Sequence, residues 1–436
     1  MQSESRTSSR TDSNATWLTL AGYVLGSVAV IWRLALIWKF LPQPVETENM
    51  RAGFALATTG ILADPFLLPT GPTAHVAPMY PALIAACVLI TGDPHLGFDV
   101  ARSVVVLCFG GFVATLPLAT LHLGLGRASG LVAALMFVPA GIPVFAWIEA
   151  SGQHEAVLTA VWLFALVVVT ARALRAESAT TLSSVGLGLA WGIGAHTSPL
   201  LVLALAGLLS ATVIAGNHTA RANVRHRVVP LVAALAIALT PWTIRNASVL
   251  NRVTLIRDNF GLELAVSNAD DASPDMRSNM LRGGTMSRHP FLDSTEARRM
   301  AALGESTYYS AQGKVAVDWI RTHPAAFARL SAERMRLYFF PRLGMQHHRL
   351  FYLFIMTMGL LGLVRLFRRD RLTAVVLLGA LLGFSGPYFL VQAHARYAYP
   401  ILWIPAVLSA WGTLDLLAAF RCGKSVRLDT TRDLAQ

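Results

Sequence analysis

Two carboxylates, Glu46 and Glu48, stand just beyond the first apolar run of the chain. Further on, Glu149, His154 and Glu155 fall between two apolar runs, Arg245 follows a third, and His394-Ala395-Arg396-Tyr397 occupies the last polar gap. A carboxylate can take the proton of a hydroxyl or amine as it attacks. An arginine can hold a phosphate leaving group through paired, charge-assisted hydrogen bonds. Gathered on one face of a membrane, such a set suits transfer from an anionic, lipid-held donor to a hydroxyl or amine acceptor. Each residue also has a plainer role. Glu46, Glu48 and Glu155 open helical patterns, where a carboxylate complements the helix dipole. His154 and Glu155 are adjacent, a sparse pattern for a metal. Arg33, inside the first apolar run, needs an ion-pair partner or a ligand phosphate. Arg396 and Tyr397 suit an interfacial anchor and an aromatic belt.

The elements that must carry these residues are apolar. Of 436 residues, 54% are hydrophobic and only 14% charged, and the mean hydropathy is +0.53. Apolar runs of about 18 or more residues recur along the chain, which predicts a polytopic membrane protein. The net charge of +12 is spread through the gaps between these runs. That distribution follows the positive-inside rule and argues against nucleic-acid binding. Cys87, Cys108 and Cys422 have no CxxC spacing, so neither a disulfide framework nor a zinc site is indicated. No P-loop or dinucleotide-binding glycine motif is present, and no nucleotide is expected.

Residues 1–15 are rich in Ser, Thr and Arg and read as a disordered cytoplasmic tail. An N-terminal transmembrane module is expected over 16–243, with an outer loop at 41–100. In that loop Met50, Phe54, Ala57 and Ile61 recur at helical spacing, predicting a short helix along the membrane surface. The apolar run after Pro81 is short for a span and reads as interfacial or re-entrant. Residues 244–348 are too long for a connection and read as a small extracytoplasmic subdomain, with its last helical pattern broken at Thr322-His323-Pro324. Transmembrane helices return over 349–420, and 421–436 is a basic cytoplasmic tail. With the run after Pro81 not crossing, each expected cytoplasmic gap carries Arg or Lys. The expected fold is thus all-α, with about ten transmembrane helices, extracytoplasmic juxtamembrane helices, and both termini inside.

Several segments follow one another in a set order: Glu48 ahead of the surface helix, Pro65-Phe66, Thr70-Gly71-Pro72-Thr73 and Pro78-Met79-Tyr80-Pro81. Pro241-Trp242-Thr243-Ile244-Arg245-Asn246, Asn259-Phe260-Gly261-Leu262-Glu263 with Asn268, Trp319 to Pro324, and Ala395-Arg396-Tyr397 up to Pro400 complete the series. In their order and placement these segments resemble the GT-C superfamily of membrane glycosyltransferases, in particular protein O-mannosyltransferases and lipid A aminoarabinose transferases. The resemblance implies a polyprenyl-phosphate-sugar donor, used by inverting transfer from the extracytoplasmic face. It implies Glu48 as the catalytic acidic residue, acting as general base, Glu155 as the second-loop carboxylate, and Arg396 with Arg245 on the donor phosphate. Many relatives carry Asp in the first loop; here it is Glu, and Glu46 stays open as the alternative. The sugar, the acceptor (protein, lipid or glycan) and any divalent metal are left open. A bacterial inner membrane is expected. The alternative function is a transporter or flippase, which would more often show internal repeats and charges at the bilayer midplane.

Overall fold

A computed structural model of the chain describes residues 2–40, 46–138, 154–176, 180–281, 284–342 and 346–433, without the side chains of 2–15, 40, 346–348 and 421–433. Regular structure in these residues is helical throughout, apart from two isolated bridges, Ala63 with Pro72 and Asp275 with Ala393. Among the described residues, seven helices are long and apolar enough to cross a membrane. The chain is an all-α polytopic membrane protein.

Helix α1 (Gln2–Ala35) starts inside the segment read as a tail and passes into a π turn at Leu36–Phe40. Helix α2 (Glu48–Thr59) forms where the sequence predicts a short helix. Thr47 caps it by accepting from the Met50 amide at 3.2 Å, and Gly60 ends it with φ +72°. Helix α3 (Met79–Thr91) is the short apolar element, well below the length that spans a bilayer. The two pack through Gly53, where an added Cβ would lie 2.8 Å from the Ile84 side chain and 3.1 Å from the Pro81 carbonyl. Only a glycine lets α2 approach α3 this closely.

Helix α4 (Pro94–His122) begins with Asp93 as cap and proline in its first turn, a pairing that satisfies the helix's free N-terminal amides. It is followed by α5 (Arg127–Phe137), α6 (His154–Arg175), α7 (Thr181–Ala195) and α8 (Leu200–Ala215). The short helices α5, α7 and α8 occupy three positions read from the sequence as spans. Helix α9 (His218–Leu250) differs from that reading. The basic stretch 218–227, read as a gap, forms its first turns, with Asn217 as cap accepting from the Ala220 amide at 2.8 Å. The helix also runs through Pro230 and Pro241, past the boundary expected at 243. Lateral packing outweighs the prolines: Gly188 of α7 sits against the Leu231 carbonyl of α9 and Gly192 against the Ala238 side chain, both too close for an added Cβ.

Residues 251–342 contain α10 (Phe260–Ser267), α11 (Met276–Leu281), α12 (Ser294–Leu303), α13 (Glu305–Thr322) and α14 (Pro324–Phe339). The break between α13 and α14 falls at His323-Pro324, as the sequence indicates, because Pro324 can start a helix but not continue one. Phe66, Leu262, Val266, Met286, Met300 and the pair Tyr308/Tyr309 form a separate small core, so the loop between α2 and α3 packs against these helices. Helices α15 (Gln346–Arg369), α16 (Arg371–Ser385) and α17 (Trp403–Asp433) complete the bundle. Close approach of α8 and α16 again uses glycine, at Gly207, Gly379 and Gly383.

Candidate active site

The loop between α2 and α3 is built by local chemistry that favours a tight reversal. Asp64 takes φ +55°, a left-handed conformation that Asp tolerates better than most residues. Its carboxylate accepts the Thr70 and Gly71 amides, each at 2.8 Å. Side chains from far along the chain then fix the far arm of the loop. Arg245 donates to the Leu62 carbonyl at 2.8 Å and the Thr73 carbonyl at 2.7 Å. Arg257 donates from Nε to the His75 carbonyl at 2.7 Å. The carboxylate of buried Glu305 accepts the Thr73 hydroxyl and, at 2.6 Å, the Ala74 amide. Burial pushes the Glu305 carboxyl up from its ordinary range, and these two donors pull it back.

His75 stands at the end of this arm, fully buried. Its Nδ1 meets the Tyr309 hydroxyl at 2.8 Å. Its Nε2 faces Oε1 of Glu48 at 3.2 Å, and Nε2 of His289 lies 3.9 Å from the same oxygen. Phe66 packs its ring edge-on to both imidazoles. Burial acts to raise the Glu48 carboxyl, but His75, then His289 and Arg396, hold it well below the usual carboxylate range. Burial lowers the His289 imidazole, with Glu48 opposing. This corner therefore holds an ionised carboxylate at neutral pH.

The opposite wall is made of rings. Arg396 lies over the Tyr397 ring, 5.0 Å from its centroid. Tyr397 stacks on Tyr388 at 4.5 Å, Tyr388 stacks on Tyr338 at 5.8 Å, and the Tyr338 hydroxyl donates to the Tyr397 carbonyl at 3.1 Å. Between the two walls lies a cavity of about 580 Å³. Glu48, Glu155, Arg257, Glu263, Arg396 and Tyr397 supply its polar lining. Leu200, Leu203, Leu239, Leu255 and Phe384 supply much of the apolar remainder. The cavity thus offers charged groups together with apolar surface that suits a hydrocarbon chain. Oε2 of Glu155 is buried without a hydrogen-bond partner among the described residues.

Of the residues singled out from the sequence, Glu48, Glu155, Arg396 and Tyr397 come together around this cavity. Glu46 does not: it pairs with Arg51, and its side chain is 59% exposed. Arg245 braces the loop by its backbone and is not among the residues lining the cavity. Arg33 donates to the Phe137 carbonyl at 3.0 Å and covers the Phe109 ring at 4.2 Å, inside the helical bundle. His154 is fully buried at the start of α6, apart from the lining. Glu149 lies outside the described residues. Sequence reasoning passed over His75, His289, Arg257, Glu305 and Tyr309. His75 lies two residues beyond the quoted Thr-Gly-Pro-Thr segment, the one signal that could have drawn attention to it. The Asn259–Glu263 stretch was noted, and both its ends line the cavity.

Glu48, His75 and His289 offer ligand atoms all within 4.8 Å of one another. An imidazole whose Nδ1 is held by a tyrosine hydroxyl and whose Nε2 faces a carboxylate matches the way metal-binding histidines are oriented. The donor set, two nitrogens and a carboxylate oxygen, fits a divalent cation of the zinc or manganese kind.

No protein-family model and no curated protein matches the sequence. Solved structures do match its fold. The apo oligosaccharyltransferase AglB of Archaeoglobus fulgidus superposes with a TM-score of 0.57 at 15% identity, over 94% of this chain and 52% of that one. The same enzyme in complex with an inhibitory peptide and a dolichol-phosphate gives 0.55 at 14% identity, over 93% and 52%. The chain therefore spans about half the length of AglB. ArnT of Cupriavidus metallidurans bound to undecaprenyl phosphate gives 0.39 at 12% identity, over 88% and 77%. The fold is similar to that of the oligosaccharyltransferase AglB. At this identity the likeness is one of fold, and function must be argued from the site.

Proposed function

We propose that this protein is an integral-membrane glycosyltransferase that moves a sugar from a polyprenyl-phosphate donor to an extracytoplasmic acceptor, a protein, lipid or glycan. The observation that carries the reading is the single cavity shared by the Glu48 carboxylate, the Arg396 guanidinium and an apolar wall. AglB, whose fold it shares, is described in complex with a dolichol-phosphate, which supports a lipid-phosphate ligand. In this reading the isoprenoid chain lies along Leu200, Leu203 and Leu239, and Arg396 holds the phosphate. The acceptor oxygen or nitrogen attacks the anomeric carbon on the face opposite the phosphate. The carbon–oxygen bond to phosphate breaks, polyprenyl phosphate leaves, and the acceptor's proton passes to Glu48. One displacement inverts the anomeric centre. Arg396 balances the charge that collects on the leaving phosphate. The site belongs to the outer face of a bacterial inner membrane, with both termini cytoplasmic.

A second reading of the same atoms is favoured by the convergence of Glu48, His75 and His289. These three would hold a divalent cation, which would supply positive charge beside the sugar phosphate. Glu155, whose Oε2 is unclaimed, would then be the carboxylate free to take the proton. Purified protein incubated with polyprenyl-phosphate sugars, with released polyprenyl phosphate and metal content both measured, tests both readings. Release is the expected result. Transport of the intact lipid without release would identify a flippase instead, and stoichiometric metal lost in His289→Ala would select the second assignment.

A further inference from the structure

A second cavity, of about 570 Å³, opens in the outer subdomain on the other side of Arg257. Arg257 and Phe260 line both cavities, so these two side chains form part of the partition between them. The charged residues around the second cavity are Arg252, Arg257, Lys314, Arg321, Asp258 and Asp318. Asp258 lies 3.4 Å from Arg252, and Asp318 lies 3.9 Å from Arg321. These contacts offset the two acids against two of the four bases. What remains is positive. The Arg257 guanidinium uses only Nε on the His75 carbonyl, and Lys314 makes no hydrogen bond or ion pair among the described residues. Two cations with no ion pair within 4 Å among the described residues line this cavity, one of them with both Nη groups free of hydrogen bonds, and they match a phosphoryl group in charge and geometry.

The cavity also touches the reacting end of the first site. Tyr309, which meets His75 Nδ1, lines the second cavity, and the backbone of α13 carries Glu305, Tyr309 and Lys314 on one rigid element. A ligand seated here would lie against Tyr309, whose hydroxyl meets the His75 that faces Glu48. We propose that this second cavity binds the acceptor through a phosphate group, held by Lys314 and Arg257. The assignment to the acceptor rests on the glycosyl-transfer reading; the phosphate site itself stands on the geometry alone.

Inorganic pyrophosphate, titrated calorimetrically into the full-length protein in detergent with EDTA at fixed ionic strength, tests it. Wild type should bind saturably. Lys314→Ala, an exposed helix position where alanine folds well, should weaken binding about tenfold or more, and Lys314→Arg should restore most of it. Arg396→Ala, which alters only the first cavity, should leave the affinity within twofold. Saturating undecaprenyl phosphate should not displace the pyrophosphate. Failure of wild type to bind, or binding indifferent to Lys314→Ala, would overturn the site. Loss in Arg396→Ala, or displacement by undecaprenyl phosphate, would show that the probe occupies the lipid-phosphate cavity and overturn it equally. These outcomes are independent of whether sugar is transferred, so failure of the glycosyl-transfer reading is distinguishable from failure of this one.

Discussion

The two walls of the first cavity are held in different ways. The Glu48 wall is cross-braced by polar contacts between residues far apart in the chain: Arg245, Arg257, Glu305 and Tyr309 all reach back to the 62–75 loop. The Arg396 wall rests on neighbouring aromatic rings, with Tyr397 one residue away and Tyr388 stacked on it. Buried polar contacts are costly to leave half-made, each orphaned group forfeiting about 1–3 kcal/mol. Ring contacts are worth about 0.5–1.5 kcal/mol each and degrade gradually. The carboxylate side should therefore fail abruptly when disturbed, and the ring side by degrees.

The largest effect should come from Glu48→Gln, which keeps shape and removes the charge. Turnover should fall by about a thousandfold or more, with expression and detergent extraction unchanged. Full activity in that variant would remove Glu48 from the chemistry. The same carboxylate sets a pH expectation. Its pKa is depressed, so it stays ionised as pH falls until well below the ordinary value of about 4.3. The kcat/KM profile should accordingly stay flat on the acid side to about pH 5, and an acid limb at higher pH would point to another titrating group.

Arg396→Ala should cost about a hundredfold, seen mainly as weaker binding of polyprenyl phosphate, with Arg396→Lys recovering part of it. Equal loss in the lysine and alanine variants would mean that the paired geometry, and not the charge, holds the phosphate. Glu305→Gln tests the bracing. Its two hydrogen bonds position a loop and touch no substrate, so the expected fall of about tenfold belongs in kcat with KM nearly constant. A pure loss of thermal stability with normal kcat would demote Glu305 to a structural role. The smallest effect is expected at Glu46→Gln. Its exposed pairing with Arg51 is worth at most about 1 kcal/mol, and activity should stay within twofold.

The same contrast explains what could be read from the sequence. Apolar runs and the charges between them revealed the bundle, since span length and charge bias are properties of contiguous residues. They also indicated the surface helix with Glu48 at its start and the break at His323-Pro324. The Arg396 wall was legible for a similar reason: Arg396, Tyr397 and the preceding turn are neighbours in the chain. The bracing of the Glu48 wall was not. Glu305 reaches Thr73, and Tyr309 reaches His75, across more than two hundred positions, and neither belongs to a motif that marks it. Arg245 attracted attention as a phosphate contact because an arginine beside a span looks functional; only its backbone partners reveal the brace. The continuity of α9 was hidden likewise, because small residues on α7 supply the packing that carries it through two prolines.

Gly53 bears on all of this, though it lies outside the cavity. Glu48 is the first residue of the rigid helix that Gly53 seats against Ile84 and Pro81. A helix over so short a distance neither bends nor absorbs a push, so a sideways displacement at position 53 arrives at Glu48 almost undiminished. A misplacement of about 1 Å at a reacting group can cost a hundredfold in rate. The positional tolerance of the Glu48 carboxylate is thus set by the absence of a single methyl group, at a residue that has no side chain with which to take part.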